Sequence, residues 1–168
     1  MKKFPKLAVV PLVALLAACA GGGTGGPSAE AVMSPTKGNS ASGTVSFRQD
    51  GDSVVAGLTP GSHGFHIHEK GDCSAPDATS AGGHFNPTGK AHGHPDHADH
   101  HAGDMPQLTA DATGNASLTA TLPGLSIGSG AANIVGRGVI VHAAPDDYKT
   151  QPTGNSGARV ACGVIAAK

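Results

Sequence analysis

Short apolar runs, each broken within a few residues by Gly, Pro, Asn or Asp, recur from residue 43 to the end of the chain. Gly43-Thr-Val-Ser-Phe-Arg48 leads into a turn at 49–52, and Val54-Val55 resumes the pattern. His63 to Glu69 alternates in character, as a half-buried strand does. Leu108 to Ala112 and Ala116 to Leu122 flank Thr113-Gly114-Asn115 and predict a hairpin. Gly138 to His142 and Arg159 to Ile165 predict two further strands, while Pro123-Gly124 and Pro145-Asp146 break the chain. Residues 70–107 and 143–158 have no periodicity. Structureless stretches of that length in a compact domain usually carry function. The pattern as a whole predicts an all-β domain.

The amino terminus follows different rules. Lys2, Lys3 and Lys6 precede an apolar run from Leu7 to Ala18 that is too short to span a bilayer and has the form of an export signal. It ends in Leu16-Ala17-Ala18-Cys19, which resembles a bacterial lipobox. Residues 1–18 are therefore expected to be a lipoprotein signal peptide and Cys19 the lipidated first residue. Residues 19–29 are Gly-rich and read as a tether, with the folded domain at 30–168. The expected location is the bacterial cell envelope, on the periplasmic face. Ala20 in place of Asp favours the outer membrane. A lipid anchor needs no transmembrane helix.

Loss of residues 1–18 removes three lysines and no acid, leaving eight basic against twelve acidic residues. That balance argues against a nucleic-acid partner. Of the three cysteines, Cys73 and Cys162 remain once Cys19 carries lipid. An oxidising compartment favours a bridge between them over two free thiols.

The histidines are the strongest anomaly: nine of ten lie between His63 and His101, which points to transition-metal ligation. On a strand, His66 and His68 project from one face while Phe65 and Ile67 face the other way. His84, His92 and His101 follow in the long loop, with Asp104 after them. Three imidazoles and a carboxylate suit a tetrahedral zinc site. His94, His97 and His100 are extra, and are expected to solvate the loop or bind metal weakly.

Three separated segments resemble the copper/zinc superoxide dismutases. They are Gly64-Phe-His-Ile-His-Glu-Lys-Gly-Asp72, Gly82-Gly-His-Phe-Asn-Pro87 and Gly154-Asn-Ser-Gly-Ala-Arg-Val-Ala-Cys-Gly-Val-Ile165. The resemblance implies a Greek-key barrel of eight antiparallel β-strands with long metal-binding and electrostatic loops. It implies copper on His66, His68, His84 and His142, and zinc on His84, His92, His101 and Asp104, one ion of each per subunit. His84 would bridge the two. Asp146 would link a copper histidine to a zinc histidine from outside, His63 would be a structural histidine, and Cys73 and Cys162 match the family's disulfide pair. The implied reaction is dismutation of superoxide to dioxygen and hydrogen peroxide, with His84 and Arg159 taking part and the superoxide anion as partner. The alternative is a non-catalytic copper/zinc-binding or storage protein on the same fold. Both monomers and homodimers fit.

Two departures from the family pattern stand out. The segment Asp52–Gly57 lacks about five or six residues of a usual strand, which should weaken the barrel or leave an odd edge. The 142–159 loop is shorter than in animal enzymes and resembles the bacterial branch, with Lys149 the weak candidate for a steering charge.

Overall fold

A computed structural model describes residues 26–48, 52–56 and 58–168. The expected signal peptide, the lipidated Cys19, residues 20–25 of the tether and the turn at 49–51 lie outside the described residues.

Among the described residues nine paired segments build the domain: β1 (Ser28–Pro35), β2 (Ser42–Arg48), β3 (Asp52–Ala56), β4 (Gly61–His63), β5 (Phe65–His68), β6 (Leu108–Ala110), β7 (Asn115–Thr119), β8 (Gly138–His142) and β9 (Arg159–Ala167). Among the described residues the one helical element is a 3-10 turn at Thr79–Ala81. Seven strands join in the order β5-β8-β9-β1-β2-β3-β7, and β4 pairs with β6. Every ladder is antiparallel. β4 and β5 are two halves of one run parted at Gly64, so the nine segments make the expected eight barrel strands.

Gly64 is where that run changes partner. Its N–H donates to Ala144 and its carbonyl accepts from His142, both at 2.8 Å. A Cβ there would lie 2.6 Å from that of Ser156. Glycine lets the 143–158 loop close on the strand without a clash.

Three sequence expectations need correction. The hairpin at 108–122 keeps its turn, with Asp111 N–H donating to Asn115 at 2.9 Å, but β7 pairs along β3 and not along β6. Barrel closure wins over local pairing. The short β3 leaves no odd edge, because its five residues pair with β2 on one side and all of β7 on the other. Ser28 and Ala29, read as tether, belong to β1, and Ala29 is buried in the core.

β1 alternates as a one-faced strand should, with Ala29, Ala31 and Met33 buried and Val32 exposed. β5 and β8 are buried along their whole length. Phe65, Ile67, Val139 and Val141 enter the main core with Met33, Val45, Leu108 and Ile165. The opposite face of these two strands carries His66, His68 and His142, and loop residues cover it. The Cys73–Cys162 disulfide, spanning 89 residues, pins the start of the long loop to β9. A separate open pocket of about 240 Å³, of mixed polar and apolar lining, touches Phe47, Arg48, Phe65, Met105, Thr119 and Ile134 and none of the site histidines.

Candidate metal centre

The free edge of β5 draws the loop histidines into place. Ile67 N–H donates to Gly103, Phe85 N–H to Ile67, and Gly103 N–H to Phe85, each at 2.8 Å. Short bridges then set His66 beside Asp104 and His68 beside His84. Gly103 is required there, since a Cβ would collide with the Ile67 carbonyl.

Two sets of four buried side chains result. The ligand atoms of His66, His68, His84 and His142 all lie within 4.8 Å of one another, and so do those of His84, His92, His101 and Asp104. These are the sets expected for copper and zinc, with His84 common to both.

The first set has a definite chemical signature. His66 Nδ1, His68 Nε2, His84 Nε2 and His142 Nε2 are buried and have no hydrogen-bond partner. The other nitrogen of each ring is engaged. His66 Nε2 meets Asp146 Oδ2 at 2.6 Å, His68 Nδ1 the Gly82 carbonyl at 2.9 Å, His84 Nδ1 Asp104 Oδ1 at 2.8 Å, and His142 Nδ1 the Gly157 carbonyl at 3.1 Å. Oxygen acceptors hold the proton on those nitrogens, so the four orphan atoms carry lone pairs. Four buried lone pairs facing one another are costly unless a cation sits among them.

In the second set one oxygen, Asp104 Oδ1, faces three Nδ1 atoms: His84 at 2.8 Å, His92 at 3.0 Å and His101 at 3.5 Å. Asp104 Oδ2 accepts from the N–H groups of Gly93 at 3.1 Å and His101 at 2.8 Å, which fixes the carboxylate. Nitrogen and carboxylate donors in this ratio fit zinc.

Burial lowers the proton affinity of His66 and, more strongly, of His68, and brings His84 to about 4 and His142 to about 3. The rings of the first set are therefore neutral at pH 7 and able to ligate. Burial also opposes charge on His92, but hydrogen bonds to Asp104 and Asp146 outweigh it and raise that ring to about 9. Burial likewise opposes charge on the two carboxylates, but hydrogen bonds from His101, His84 and His92 at Asp104, and from His66 and His92 at Asp146, hold both below the usual carboxylate range.

Asp146 ties the sets together from outside. Oδ2 takes His66 Nε2, and Oδ1 takes His92 Nε2 at 2.9 Å. Arg159 pairs with His142 across the β8–β9 ladder. Its guanidinium donates to the carbonyls of Ala78 at 2.6 Å and Gly82 at 2.7 Å. Gly82 thus receives both Arg159 and His68. His63 faces the His142 and Thr59 carbonyls, each at 2.7 Å, and joins neither set. His94, His97 and His100 also stand outside both. Lys149 is exposed.

Several supporting residues carry no signature that a sequence reading can find. Gln151 clamps the His92 backbone from both sides, accepting its N–H and donating to its carbonyl, each at 2.9 Å. Gln107 accepts from the Asp146 N–H at 3.1 Å. Tyr148 donates its N–H to Asp146 Oδ1 at 2.7 Å and stacks on His92. Gly154 has φ +70°, and a Cβ there would drive into Asp146 and His92.

Residues 41–165 match the family model for copper/zinc superoxide dismutase. A solved crystal structure, that of the clock protein EA4, is similar at 41% identity with a TM-score of 0.73, over 85% of this chain and 96% of that one.

Proposed function

The chain belongs to the copper/zinc superoxide dismutases, and we propose that it converts superoxide to dioxygen and hydrogen peroxide. The observation that supports this reading most is the quartet of buried, unpartnered ring nitrogens on His66, His68, His84 and His142. These residues would hold copper, and His84, His92, His101 and Asp104 would hold zinc. When bound, copper supplies a one-electron redox change and zinc a fixed positive charge.

The protein's own groups account for the rest. Arg159 binds the anion: its charge does not depend on pH in the working range, and its two carbonyl contacts leave further N–H donors free. The shared acceptor Gly82 registers that guanidinium against the His68 ring. His84 belongs to both sets: its unpartnered Nε2 would take up a proton and release it again while Nδ1 would stay with the second set once the ions are bound. Asp146 orients His66 and His92 at once. Two superoxide anions and two protons yield one dioxygen and one hydrogen peroxide, so the proton handled by His84 is half of what one cycle consumes.

The protein acts in the bacterial cell envelope on the periplasmic face, held by a lipid on Cys19, with the outer membrane favoured. Among the described residues no helix is long and apolar enough to cross a membrane. A second reading is a non-catalytic copper/zinc-binding protein on the same fold; the similar solved chain is described as a clock protein, a description that names no dismutase activity. Metal content and dismutase activity of residues 20–168, measured on one sample, decide between them. One copper and one zinc per chain with cyanide-sensitive activity support the enzyme. Both ions bound without activity support the second reading.

A further inference from the structure

We propose that His94 and His97, oriented by Asp96, form an accessory surface site for a divalent transition-metal ion of the Zn(II) or Cu(II) class, separate from the buried pair. His97 N–H donates to the His94 carbonyl at 2.9 Å, closing a turn that brings the two rings to one side. Their centroids are 5.7 Å apart at an angle of 49°. In the buried zinc-type set the rings are spaced 5.2, 5.4 and 5.6 Å apart. The surface pair therefore has nearly the ring spacing found within that buried set.

His94 is held in place from two directions. Its ring meets Tyr148 edge-on at 4.5 Å, and Tyr148 stacks on His92. Its Nδ1 accepts the Asp96 N–H at 3.2 Å and lies 3.6 Å from Asp96 Oδ2. With the proton moved to Nδ1, a closing of the 3.6 Å gap by a few tenths of an ångström would make Asp96 Oδ2 its acceptor and leave Nε2 as the ligand. Asp146 and His66 make the same carboxylate–imidazole pair, at 2.6 Å, in the buried site, and such a pair orients a ring toward a metal. Imidazole donors with water in the remaining positions suit zinc or copper, not the hard cations that take oxygen ligands. His94 is half-buried and His97 exposed, so an ion reaches both from solvent. His100 is left out of the site because, of the three extra rings, only those of His94 and His97 lie against each other; its Nδ1 donates to the His101 carbonyl at 2.7 Å.

The test is a titration of copper(II) into the full chain already loaded with copper and zinc, with bound metal counted after dialysis and the added ion followed by electron paramagnetic resonance. The metal content of the starting protein reports on the buried sets separately, so failure of that reading and failure of this one are distinguishable. One further equivalent with nitrogen couplings is expected. It is lost in the His94→Ala/His97→Ala variant and in His97→Ala alone, which touches no buried ligand. It is about tenfold weaker in Asp96→Ala and unchanged in His100→Ala. No further equivalent, equal binding by the double variant, or equal loss in His100→Ala would overturn the proposal.

Discussion

The two faces of β5 are buried to the same degree and held by opposite means. Phe65 and Ile67 are fully covered and sit in an apolar core with Val139, Val141 and Leu108. His66 and His68 are as completely covered, but what faces them is the imidazoles of His84, His92 and His142 and the carboxylate of Asp146. The first face is stable in any solvent that leaves the hydrophobic effect intact. The second contains four unpartnered nitrogens and depends on whatever cation or proton occupies the space between them. The difference teaches that burial alone does not mark a core: one strand supports a self-sufficient half and a conditional half.

Metal removal separates the halves most sharply. A structural zinc site contributes on the order of 10 kcal/mol of binding free energy near neutral pH. Chelation is therefore expected to lower the melting temperature by more than about 10 °C. Amide exchange should rise steeply across 83–104, which is pinned to β5 from the metal side, while Val139 and Val141 stay protected. Uniform loss of protection over the barrel would mean that the two faces are not independent.

Reduction of Cys73–Cys162 ranks next. The loop it closes spans 89 residues, for which chain entropy predicts about 4–5 kcal/mol. The same segment carries Gly82, whose carbonyl receives both Arg159 and His68. Cys73→Ser should thus lower stability and also weaken metal retention in the first set. A loss of stability with unaltered metal affinity would show that the disulfide serves only the apolar half.

Acidification tests the conditional face of the metal-free protein. His84 and His142 are lowered to about 4 and about 3 in the folded state, against an ordinary value of 6.5. The unfolded chain takes up protons below 6.5 and the folded chain does not, so stability falls as pH drops below that value. At pH 5 each ring costs about 2 kcal/mol. His92 acts in the other sense: raised to about 9, its contribution is complete below 6.5 and is lost as pH rises through 9. Asp104 and Asp146 contribute above the ordinary carboxylate range and lose that contribution below it. The melting temperature of metal-free protein should therefore peak near neutral pH and drop between pH 7 and 5. The metal-loaded protein should change less over that interval.

The conditional face was largely legible in the sequence, because ligand chemistry uses few residue types. His66-x-His68 on a strand, the loop histidines and Asp104 announced themselves by composition and alternation. The extra His94, His97 and His100 carry the same compositional signal; the family resemblance set them apart from the expected ligands, and their place outside both buried sets agrees with it. The partners of β3 and β7 were not legible, since closing a barrel is a non-local demand. The split at Gly64 depends on Ala144 and Ser156, far along the chain. The Gln107 and Gln151 amides and the Tyr148 phenol, which accepts the Gln107 N–H, support the site through hydrogen bonds with backbone, a role for which amide and phenol side chains leave no pattern.

Asp146 gives the smallest effect and the finest test of how the conditional face is organised. Its two oxygens hold one ring from each set, so Asp146→Asn keeps the shape but offers one acceptor where there were two. Because the amide cannot accept from both His66 Nε2–H and His92 Nε2–H, one ring loses its orientation. Loss of such an outer partner typically costs 10–100-fold in metal affinity. Competition against a graded series of chelators would read it out, with an expected loss of about tenfold for zinc and a smaller loss for copper. The asymmetry follows from the anchoring of each ring: His66 is fixed in β5 with Ile140 opposite it in β8, whereas His92 lies in the loop, where Gln151 clamps its backbone and Asp146 orients its ring. Equal losses for the two ions would mean that β5 does not hold His66 any better than the loop holds His92.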